Sequence, residues 1–191
     1  MQDTHTIHTP LTEDICERLR AGDRVLLSGS IITGRDMAHK RLAALVAEGK
    51  ELPVKLDNET IFYAAPTPAP PGRIIGSIGP TTSYRMDAFA PLLMEAGIKG
   101  MIGKGRRNDA VRDAIIRCKA VYLAAMGGIA ALMSACVKKA EVIAYEDLGP
   151  EAIMRLEIEE FPLIVINDAL GGDLYEVALG RHRMDPRSDD H

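Results

Sequence analysis

Three short segments place cationic and hydroxyl side chains where a predicted strand or loop meets a predicted helix. They are Thr33–Arg41, Gly79–Asp87 and Ile102–Arg107. A turn that opens a helix exposes free backbone N–H groups, which favour anions, and an arginine beside them offers a planar fork for a carboxylate or phosphate. Three cations and two threonines share this setting: Arg35, Arg85, Lys104, Thr81 and Thr82. Together they predict a small polycarboxylate as the ligand.

The first of these segments also has a purely structural interpretation. Thr33 or Asp36 can cap the helix that follows. Lys40 and Arg41 can solvate its outer face. His39 stands at a helical position, where a packed or capping histidine is more common than a metal ligand, and the sequence places no second ligand near it.

Hydroxyl side chains stand immediately before the second predicted helix. A helix needs one N-cap, so Thr81–Ser83 holds more hydroxyls than capping requires. We expect at least one of them to face a ligand, where it can transfer a proton if its surroundings stabilise the alkoxide. The alternative is that all three serve the local turn.

Lys104 lies between Gly103 and Gly105 at the end of a predicted strand, the edge at which open α/β sheets bind ligands. The glycines allow the backbone to approach a ligand closely, and the lysine supplies a point charge. The segment is not a P-loop, because Gly105 follows the lysine where that motif needs Ser or Thr. Nucleotide binding is therefore not supported.

The spacing of apolar residues predicts an α/β fold with a sheet covered by helices. The predicted helices cover residues 13–20, 39–47, 86–93, 111–118 and 129–137. The predicted strands cover residues 25–27 or 25–32, 61–65, 100–102, 121–125, 142–145 and 163–166. Four of the seven residues in Pro66–Gly72 are prolines, so this segment is predicted to be a loop or a sheet edge. We expect one domain over residues 1–180 and a disordered tail over residues 181–191.

The composition narrows the class of protein. The 191 residues include 23 Lys and Arg against 27 Asp and Glu, a formal net charge of −4, so no overall field attracts nucleic acid or an anionic membrane. No apolar stretch reaches ~18 residues, the length of a membrane span, and the N-terminus has no signal-peptide pattern. Three cysteines, an odd number spread along the chain, form no disulfide framework and predict no metal site. We expect a cytoplasmic protein.

Several motifs are more specific than these general features, both in their residues and in their order along the chain. They are Ser28–Gly29, Thr33–Asp36, His39–Arg41, Gly79–Thr82, Arg85–Asp87, Ile102–Gly105, Gly127–Gly128, Glu146–Gly149 and Glu151–Ile153. Over about residues 20–176 the series resembles the β subunit of class I, iron–sulfur-dependent fumarase. The sister family, the L-tartrate dehydratase β subunit, shares much of it. Fumarase is favoured because Thr-Gly-Arg-Asp stands where tartrate dehydratases tend to place a cysteine before the arginine.

The resemblance implies a swivelling β/β/α domain, in which a β-rich N-terminal half joins an α/β half. The change of sequence pattern near Gly79 agrees with such a division. The resemblance also implies a separate α subunit that ligates a four-iron iron–sulfur cluster, so this chain would hold no metal itself. The open iron of that cluster would act as a Lewis acid on the substrate. The expected partners are this α subunit and a small dicarboxylate.

The resemblance further implies roles for individual residues. Thr81 would be the catalytic base that removes the C3 proton of malate. The substrate carboxylates would be bound by Arg35, Thr82, Arg85 and Lys104. Supporting positions would be Asp36, His39, Gly103 and Gly105.

Three functions follow from the sequence as hypotheses. The leading one is the β subunit of fumarate hydratase, a hydro-lyase that interconverts fumarate and L-malate. The second is dehydration of L-tartrate by the same kind of subunit. The third, from another class, is a free-standing module that binds a carboxylate or phosphate without catalysis.

Overall fold

The computed structural model describes residues 4–125 and 130–183, with side chains throughout except at residues 130, 131 and 180–183. This part of the chain contains seven strands: β1 (Thr4–His8), β2 (Arg24–Thr33), β3 (Thr60–Phe62), β4 (Gly100–Gly103), β5 (Val121–Ala125), β6 (Val137–Ala144) and β7 (Ile153–Asn167). It contains six α-helices: α1 (Glu13–Cys16), α2 (Asp36–Ala47), α3 (Ala90–Glu95), α4 (Asp109–Arg117), α5 (Ala130–Cys136) and α6 (Leu174–Arg183). Two 3₁₀ helices complete it: Ser83–Met86 and Glu146–Glu151. The predicted mixed α/β fold is confirmed.

The strands of the described part form one sheet in the order β1-β2-β3-β4-β5-β7-β6. Strand β2 also pairs with β7 in the antiparallel direction, so the sheet closes on itself in a small barrel-like arrangement. Strands β2, β3, β4 and β5 are parallel to one another. Their carboxyl ends therefore meet at one edge of the sheet, which is where parallel sheets commonly bind ligands.

Apolar side chains pack on both faces of this sheet. Ile61 and Phe62 are neighbours in β3 but belong to two different apolar clusters, because successive side chains of a strand point to opposite faces. Helices α2, α3 and α4 cover one face through Leu42, Leu93 and Ile115. Strands β3, β4 and β5 are buried almost throughout, as their apolar runs predicted.

The single helix predicted over residues 86–93 is wrong. The chain instead forms the 3₁₀ helix Ser83–Met86, a turn, and then α3 from Ala90. The Asp87 carboxylate accepts hydrogen bonds from Arg107 and from the Asn108 N–H, which holds the turn in place. Pro91 stands in the first turn of α3, where its missing N–H costs nothing. Two short helices therefore share the apolar spacing that suggested one.

Strands β6 and β7 also differ from prediction. Strand β7 has 15 residues, of which only Leu163–Ile166 was predicted, because its first half alternates buried and charged side chains and forms no apolar run. Strand β6 runs from Val137 to Ala144 and so includes most of the strand predicted at residues 142–145, but its residues there are exposed or partly exposed rather than buried. Helix α5 lies within the predicted residues 129–137, of which residue 129 falls outside the described part. Strand β1 was not predicted, because its residues alternate between exposed and partly exposed.

The predicted separation into a β-rich half and an α/β half is not seen as two sheets. Strands β2 and β3 precede Gly79, yet they pair with β7 and β4, which follow it, because β7 returns along the full length of β2. Helix α1 ends at Cys16 rather than Arg20, and β3 ends at Phe62. Residues 63–80, including the proline-rich loop, form no strand, as predicted for that loop. Helix α6 reaches Arg183, into the predicted tail, whose remaining residues lie outside the described part.

No helix in residues 4–125 and 130–183 combines the length and apolar character needed to cross a membrane.

Candidate active site

The carboxyl ends of β2, β3 and β4 bring the predicted segments to the same edge of the sheet. Arg35 follows β2 closely. The Thr81 N–H donates to the carbonyl of Tyr63, just past β3, at 2.7 Å. Thr82 and Lys104 form a parallel bridge just past the end of β4. The structure thus joins residues that are far apart in sequence.

Two arginines and two carboxylates form an arginine–carboxylate cluster at this edge: Arg35, Asp36, Arg85 and Glu151. The Arg85 Nε lies 2.8 Å from one Asp36 oxygen. The Arg35 guanidinium lies 3.9 Å from the other Asp36 oxygen and 3.8 Å from Glu151 Oε1. Arg35 Nε and Asp36 Oδ2 are buried and have no hydrogen-bond partner among the described residues. The cluster therefore retains hydrogen-bonding capacity beside two guanidinium groups.

The helix that begins at Asp36 is not capped as predicted. Its N-cap is Arg35, in extended conformation and without a side-chain capping bond. Thr33 is buried, and its hydroxyl accepts from the Met154 N–H at 3.0 Å and donates to the Ala152 carbonyl at 3.5 Å. The Asp36 carboxylate is engaged by Arg85. Both candidate caps are thus used in contacts between distant parts of the chain.

His39 lies beneath Arg35 as a packed side chain. Its exposed fraction is 1%, and its Nδ1–H donates to the Arg35 carbonyl at 2.9 Å. Its ring meets Tyr63 edge-on, with the ring centroids 5.1 Å apart. Burial lowers the pKa of His39 to about 4, so the ring is neutral at pH 7. A neutral imidazole here orients the backbone of Arg35 and adds no charge to the site.

The three hydroxyls of Thr81–Ser83 have different environments. Ser83 is buried, accepts from the Lys104 N–H at 3.0 Å and lies 2.9 Å from the Tyr122 hydroxyl. Thr82 is the N-cap of the 3₁₀ helix Ser83–Met86, but its side chain makes no capping bond. Thr81 is partly exposed, and no hydrogen bond to its hydroxyl occurs within the described residues. The two threonine hydroxyls are therefore available to a ligand.

Lys104 has an exposed side chain that forms no ion pair with any described residue. The glycines beside it have structural reasons. A Cβ on Gly103 would lie 2.0 Å from Ser83 Oγ, so this glycine allows the protein's own chain to approach. Gly105 has a φ of +85°, which favours glycine. The two glycines fix the backbone from which the lysine projects.

The segment Tyr145–Glu151 holds helix α2 from outside. Arg41 of the helix donates two hydrogen bonds to the Asp147 carboxylate, at 2.9 and 2.6 Å. The guanidinium carbon of Arg41 lies 5.2 Å from the Tyr145 ring centroid. The Met37 N–H donates to Glu151 at 3.3 Å. The resemblance includes Glu146–Gly149 and Glu151–Ile153 but implies no role for them, and this contact with α2 gives the segment a structural role.

A buried group beneath the site was not found by sequence reasoning. Arg107 looked like the second of two basic residues after a turn, yet its side chain is fully buried and ion-paired with Asp87. Tyr63 and Tyr122 flank it. The apolar spacing of the following helix places Val111 in the core but gives no signal for Arg107, which lies before that helix. The glycine pair Gly127–Gly128 lies outside the described residues.

The chain's own cysteines do not fit an iron–sulfur cluster. Cys16 is buried in one apolar cluster and Cys118 packs against the other. Burial raises the pKa of the Cys16 thiol to about 12, which opposes the thiolate that iron requires. Among the described residues, no three His, Cys, Asp or Glu side chains are grouped so that they could hold a metal ion.

Comparison with known sequences matches one family over a range that includes all the candidate site residues. The profile described as Fumarase C-terminus matches residues 2–178. The chain belongs to the fumarase C-terminus family.

Three relatives differ in how much of their own length this chain covers. It is 41% identical over 160 residues to "Fumarate hydratase class I, anaerobic" of Escherichia coli (strain K12), a match that covers 83% of this chain but 29% of that protein. It is 36% identical over 172 residues to "Putative L(+)-tartrate dehydratase subunit beta" of Methanocaldococcus jannaschii, covering 87% and 88% of the two chains. It is 33% identical over 185 residues to "L(+)-tartrate dehydratase subunit beta" of E. coli (strain K12), covering 93% and 90%. The chain thus spans less than a third of this fumarate hydratase.

Within this fumarase C-terminus domain, the predicted site residues fall into three groups. Arg35, Asp36 and Arg85 meet in the arginine–carboxylate cluster. Thr81, Thr82 and Lys104 are joined through the backbone of neighbouring strand ends. The three residues predicted to support the site lie next to these groups: His39 bonds the Arg35 carbonyl, and Gly103 and Gly105 flank Lys104.

Proposed function

We propose that this chain is the β subunit of a cytoplasmic hydro-lyase that interconverts fumarate and L-malate. One observation carries the proposal: Arg35 and Arg85 both approach the Asp36 carboxylate, and Arg85 lies in the 3₁₀ helix whose N-cap, Thr82, forms the bridge with Lys104. Two guanidinium groups and an ammonium suit a small dicarboxylate, since arginine can bind each carboxylate through a planar fork. The 41% identity to a class I fumarate hydratase supports the same reaction class.

The charges at this edge favour an anionic substrate. Arg35, Arg85 and Lys104 give three positive charges against two negative charges from Asp36 and Glu151, a net charge of +1. In the proposed site the substrate carboxylates bind Arg35, Arg85 and Lys104, with Thr82 as a hydrogen-bond donor. Fixing both carboxylates sets the position of the C–H bond between them.

Thr81, as its alkoxide, is proposed to remove the C3 proton of malate while hydroxide leaves C2. In the reverse reaction Thr81 returns this proton to C3 while hydroxide adds to C2, so one water is released or taken up overall. A neutral threonine is a weak base, so its alkoxide needs stabilisation. We propose the positive charges of Arg35, Arg85 and Lys104, at the same edge of the sheet, as the source of that stabilisation. The partly exposed Thr81 hydroxyl, which has no protein partner among the described residues, supports this role.

A cluster-bearing α subunit is proposed as the partner. Two tartrate dehydratase relatives, which this chain covers over 88% and 90% of their length, are named as β subunits. The four-iron iron–sulfur cluster is proposed on the α subunit, because the cysteines of this chain are dispersed between two apolar clusters. We also propose that the domain itself has the swivelling β/β/α fold.

L-tartrate dehydration is the second candidate, favoured by matches that cover 88% and 90% of two tartrate dehydratase β subunits. The Thr-Gly-Arg-Asp stretch that favoured fumarate does not separate the two. The Thr33 hydroxyl bonds the backbone at Ala152 and Met154, and a Cβ on Gly34 would lie 2.8 Å from Ile61. Neither the Thr33 side chain nor a Cβ at position 34 therefore points into the arginine–carboxylate cluster.

The first test is anaerobic co-expression with a cluster-bearing α subunit from the same source, followed by assays of fumarate hydration and L-tartrate dehydration. We expect co-purification and fumarate turnover. Turnover of tartrate alone would assign the second candidate. A folded chain that binds dicarboxylate alone, and co-purifies with no such subunit, would point to the free-standing binding module.

Substitutions in the active complex test the assigned roles. Thr81→Ala is expected to lower kcat by about 10²–10⁴, the usual contribution of general base catalysis, with a smaller change in KM. Thr82→Ala is the matched neighbour and should act mainly on KM. Arg85→Lys keeps the charge but removes the fork, so KM should rise. A Thr81→Ala complex as active as wild type would dismiss the base role.

A further inference from the structure

A fully buried charged side chain lies beneath the candidate site. The Arg107 side chain is 0% exposed, and its Nε donates to Asp87 Oδ1 at 2.7 Å. Its guanidinium carbon lies 5.2 Å from the ring centroid of Tyr63 and 4.9 Å from that of Tyr122, within cation–π range of both. Arg107 Nη1 also approaches the Tyr63 hydroxyl at 3.3 Å. The cation therefore fixes both aromatic rings.

The Tyr122 hydroxyl links the ring that packs on Arg107 to the backbone around Lys104. It donates to the Gly105 carbonyl at 2.9 Å. Its single proton is then in use, so Ser83 must donate its own hydroxyl proton to Tyr122 Oη across 2.9 Å. Ser83 Oγ in turn accepts from the Lys104 N–H at 3.0 Å. One directed chain of hydrogen bonds thus runs from the backbone of Lys104 through two hydroxyls to the backbone of Gly105.

The same residues also form hydrogen bonds with the backbone on both sides of Thr82. The Tyr63 carbonyl accepts from the Thr81 N–H at 2.7 Å, and the Ser83 N–H donates to the Lys104 carbonyl at 2.9 Å. Burial raises the pKa of both tyrosine hydroxyls, so both stay protonated, and Tyr122 keeps the proton that it donates to Gly105. Asp87 lies just beyond Arg85 and ends the short 3₁₀ helix that carries it.

We infer that Tyr63, Ser83, Asp87, Arg107 and Tyr122, the tyrosine–arginine network, position Lys104 and Thr81 for the reaction. This inference rests on the proposed function and assigns no contact with substrate to any of the five. They are positioning residues, which act through the backbone of the residues that do touch it. A displacement of about 1 Å in reacting groups can cost 10²-fold in rate, so such a network has a measurable effect on activity.

Tyr122→Phe is the sharpest test, because it keeps the ring against Arg107 and removes only the hydroxyl. In the active complex with the α subunit we expect kcat/KM to fall about 10- to 100-fold, with a rise in KM because Lys104 loses its fixed position. Tyr145→Phe is the matched control. Its hydroxyl is buried and has no hydrogen-bond partner among the described residues, so we expect less than about a 2-fold change.

A double-mutant cycle separates positioning from general loss of stability. Ser83→Ala and Tyr122→Phe interrupt the same hydrogen-bond chain. The double variant should therefore be about as active as the less active of the two single variants, and their losses should not add. Arg107→Lys keeps the charge and loses the fork; if it does not fold, the Ser83 and Tyr122 variants still decide the question. Additive losses in the double variant, or an unchanged kcat/KM for Tyr122→Phe in an active complex, would overturn the inference. So would equal losses for Tyr122→Phe and Tyr145→Phe.

Amide hydrogen exchange tests the geometry independently of catalysis. In the full chain, Tyr122→Phe is expected to speed exchange at the Lys104 N–H, with no change at core amides of β7. An inactive wild-type complex would count against the proposed function alone, since this exchange measurement still tests the positioning. Unchanged exchange at the Lys104 N–H would overturn the inference that the network positions Lys104.

Discussion

Two regions of the molecule hold the candidate site, and they do so by different physical means. The tyrosine–arginine network lies in the interior, where Asp87 is 7% exposed and the Arg107 side chain 0%. The segment Tyr145–Glu151 lies on the surface, where the side chains of Arg41 and Asp147 are 38% and 62% exposed. The network holds the backbone of Lys104 and Thr81, whereas the surface segment holds the helix that follows Arg35.

From this difference we expect the Lys104 side of the site to be more rigid than the Arg35 side. Interactions in the interior are strengthened by the low local dielectric, and a partner lost there leaves a costly unpaired group. Interactions between exposed charges are weak and are screened by salt. His39 joins the two regions, since it contacts the Tyr63 ring and bonds the Arg35 carbonyl. We therefore expect large effects from changes on the Lys104 side and small ones from changes on the outer side of Arg35.

The largest effect is expected from Asp87→Ala, which leaves the buried Arg107 charge without its carboxylate. Breaking a buried ion pair by removing one partner typically costs about 3–5 kcal/mol in the free energy of unfolding. Urea unfolding of the chain measures it. Glu95→Ala is the matched control, since it removes the partner of the exposed Arg117, and little change is expected there. Equal losses for the two variants would contradict the distinction between interior and surface.

The next effect concerns pH and His39. Burial lowers the pKa of His39 from 6.5 to about 4, so on acidification the unfolded chain takes up a proton on this residue before the folded chain does. Stability from this group is therefore complete above about pH 7 and is lost as the pH falls from 6.5 towards 4, by about 3 kcal/mol in all. We expect His39→Gln to reduce the pH dependence of the unfolding free energy in that window. An unchanged slope would show that the ring is not buried as a neutral group.

A third comparison uses the two glycines beside Lys104. Gly103→Ala brings a Cβ to 2.0 Å from Ser83 Oγ, so a hydrogen-bonded part of the network must move, at a cost of about 1–3 kcal/mol. Gly105→Ala has open space, with Thr82 Cγ2 at 3.9 Å, and is disfavoured only by its φ of +85°, at about 1 kcal/mol. Thermal unfolding ranks the two. A larger loss for Gly105→Ala would mean that the network yields easily at Ser83.

The sequence predicts those parts of the fold and site that depend on local pattern. Apolar runs identify β4 and β5, and the sequence motifs identify Arg35, Thr81, Arg85 and Lys104 as candidate site residues. The order of parallel strands then explains why such distant residues share one edge of the sheet. Local pattern is sufficient here because each candidate follows directly on a buried strand or precedes a short helix.

The remaining features depend on contacts between distant residues, which leave no periodic signal. Arg107 has the sequence neighbourhood of a surface residue, and only Asp87 and the two tyrosines make its burial favourable. The first half of β7 alternates polar and apolar residues because one of its faces is partly exposed. The Asp147–Arg41 contact joins residues 106 positions apart, so the role of the Glu146–Gly149 motif appears only in the folded chain.

The smallest effect is expected from Asp147→Asn on the surface segment. The variant removes the charge that Arg41 contacts through two hydrogen bonds, but both side chains are exposed and Arg41 keeps its contact with the Tyr145 ring. We expect a slight loss of stability at low salt that disappears at high salt, because the Debye length falls to about 3 Å at 1 M salt. Thermal unfolding at both salt concentrations measures this.

The consequence for activity separates the two regions most directly. Asp147→Asn should raise KM of the active complex slightly and leave kcat unchanged, because α2 is also held by the Glu151 contact with the Met37 N–H and by the buried His39. Lys50→Gln, which alters an exposed pair with Glu48 at the far end of α2, is the control. If Asp147→Asn lowers kcat/KM as much as Tyr122→Phe does, Arg35 depends on the surface segment as strictly as Lys104 depends on the network. The site would then have two rigid sides, and the salt dependence of turnover would follow that of the Arg41–Asp147 pair.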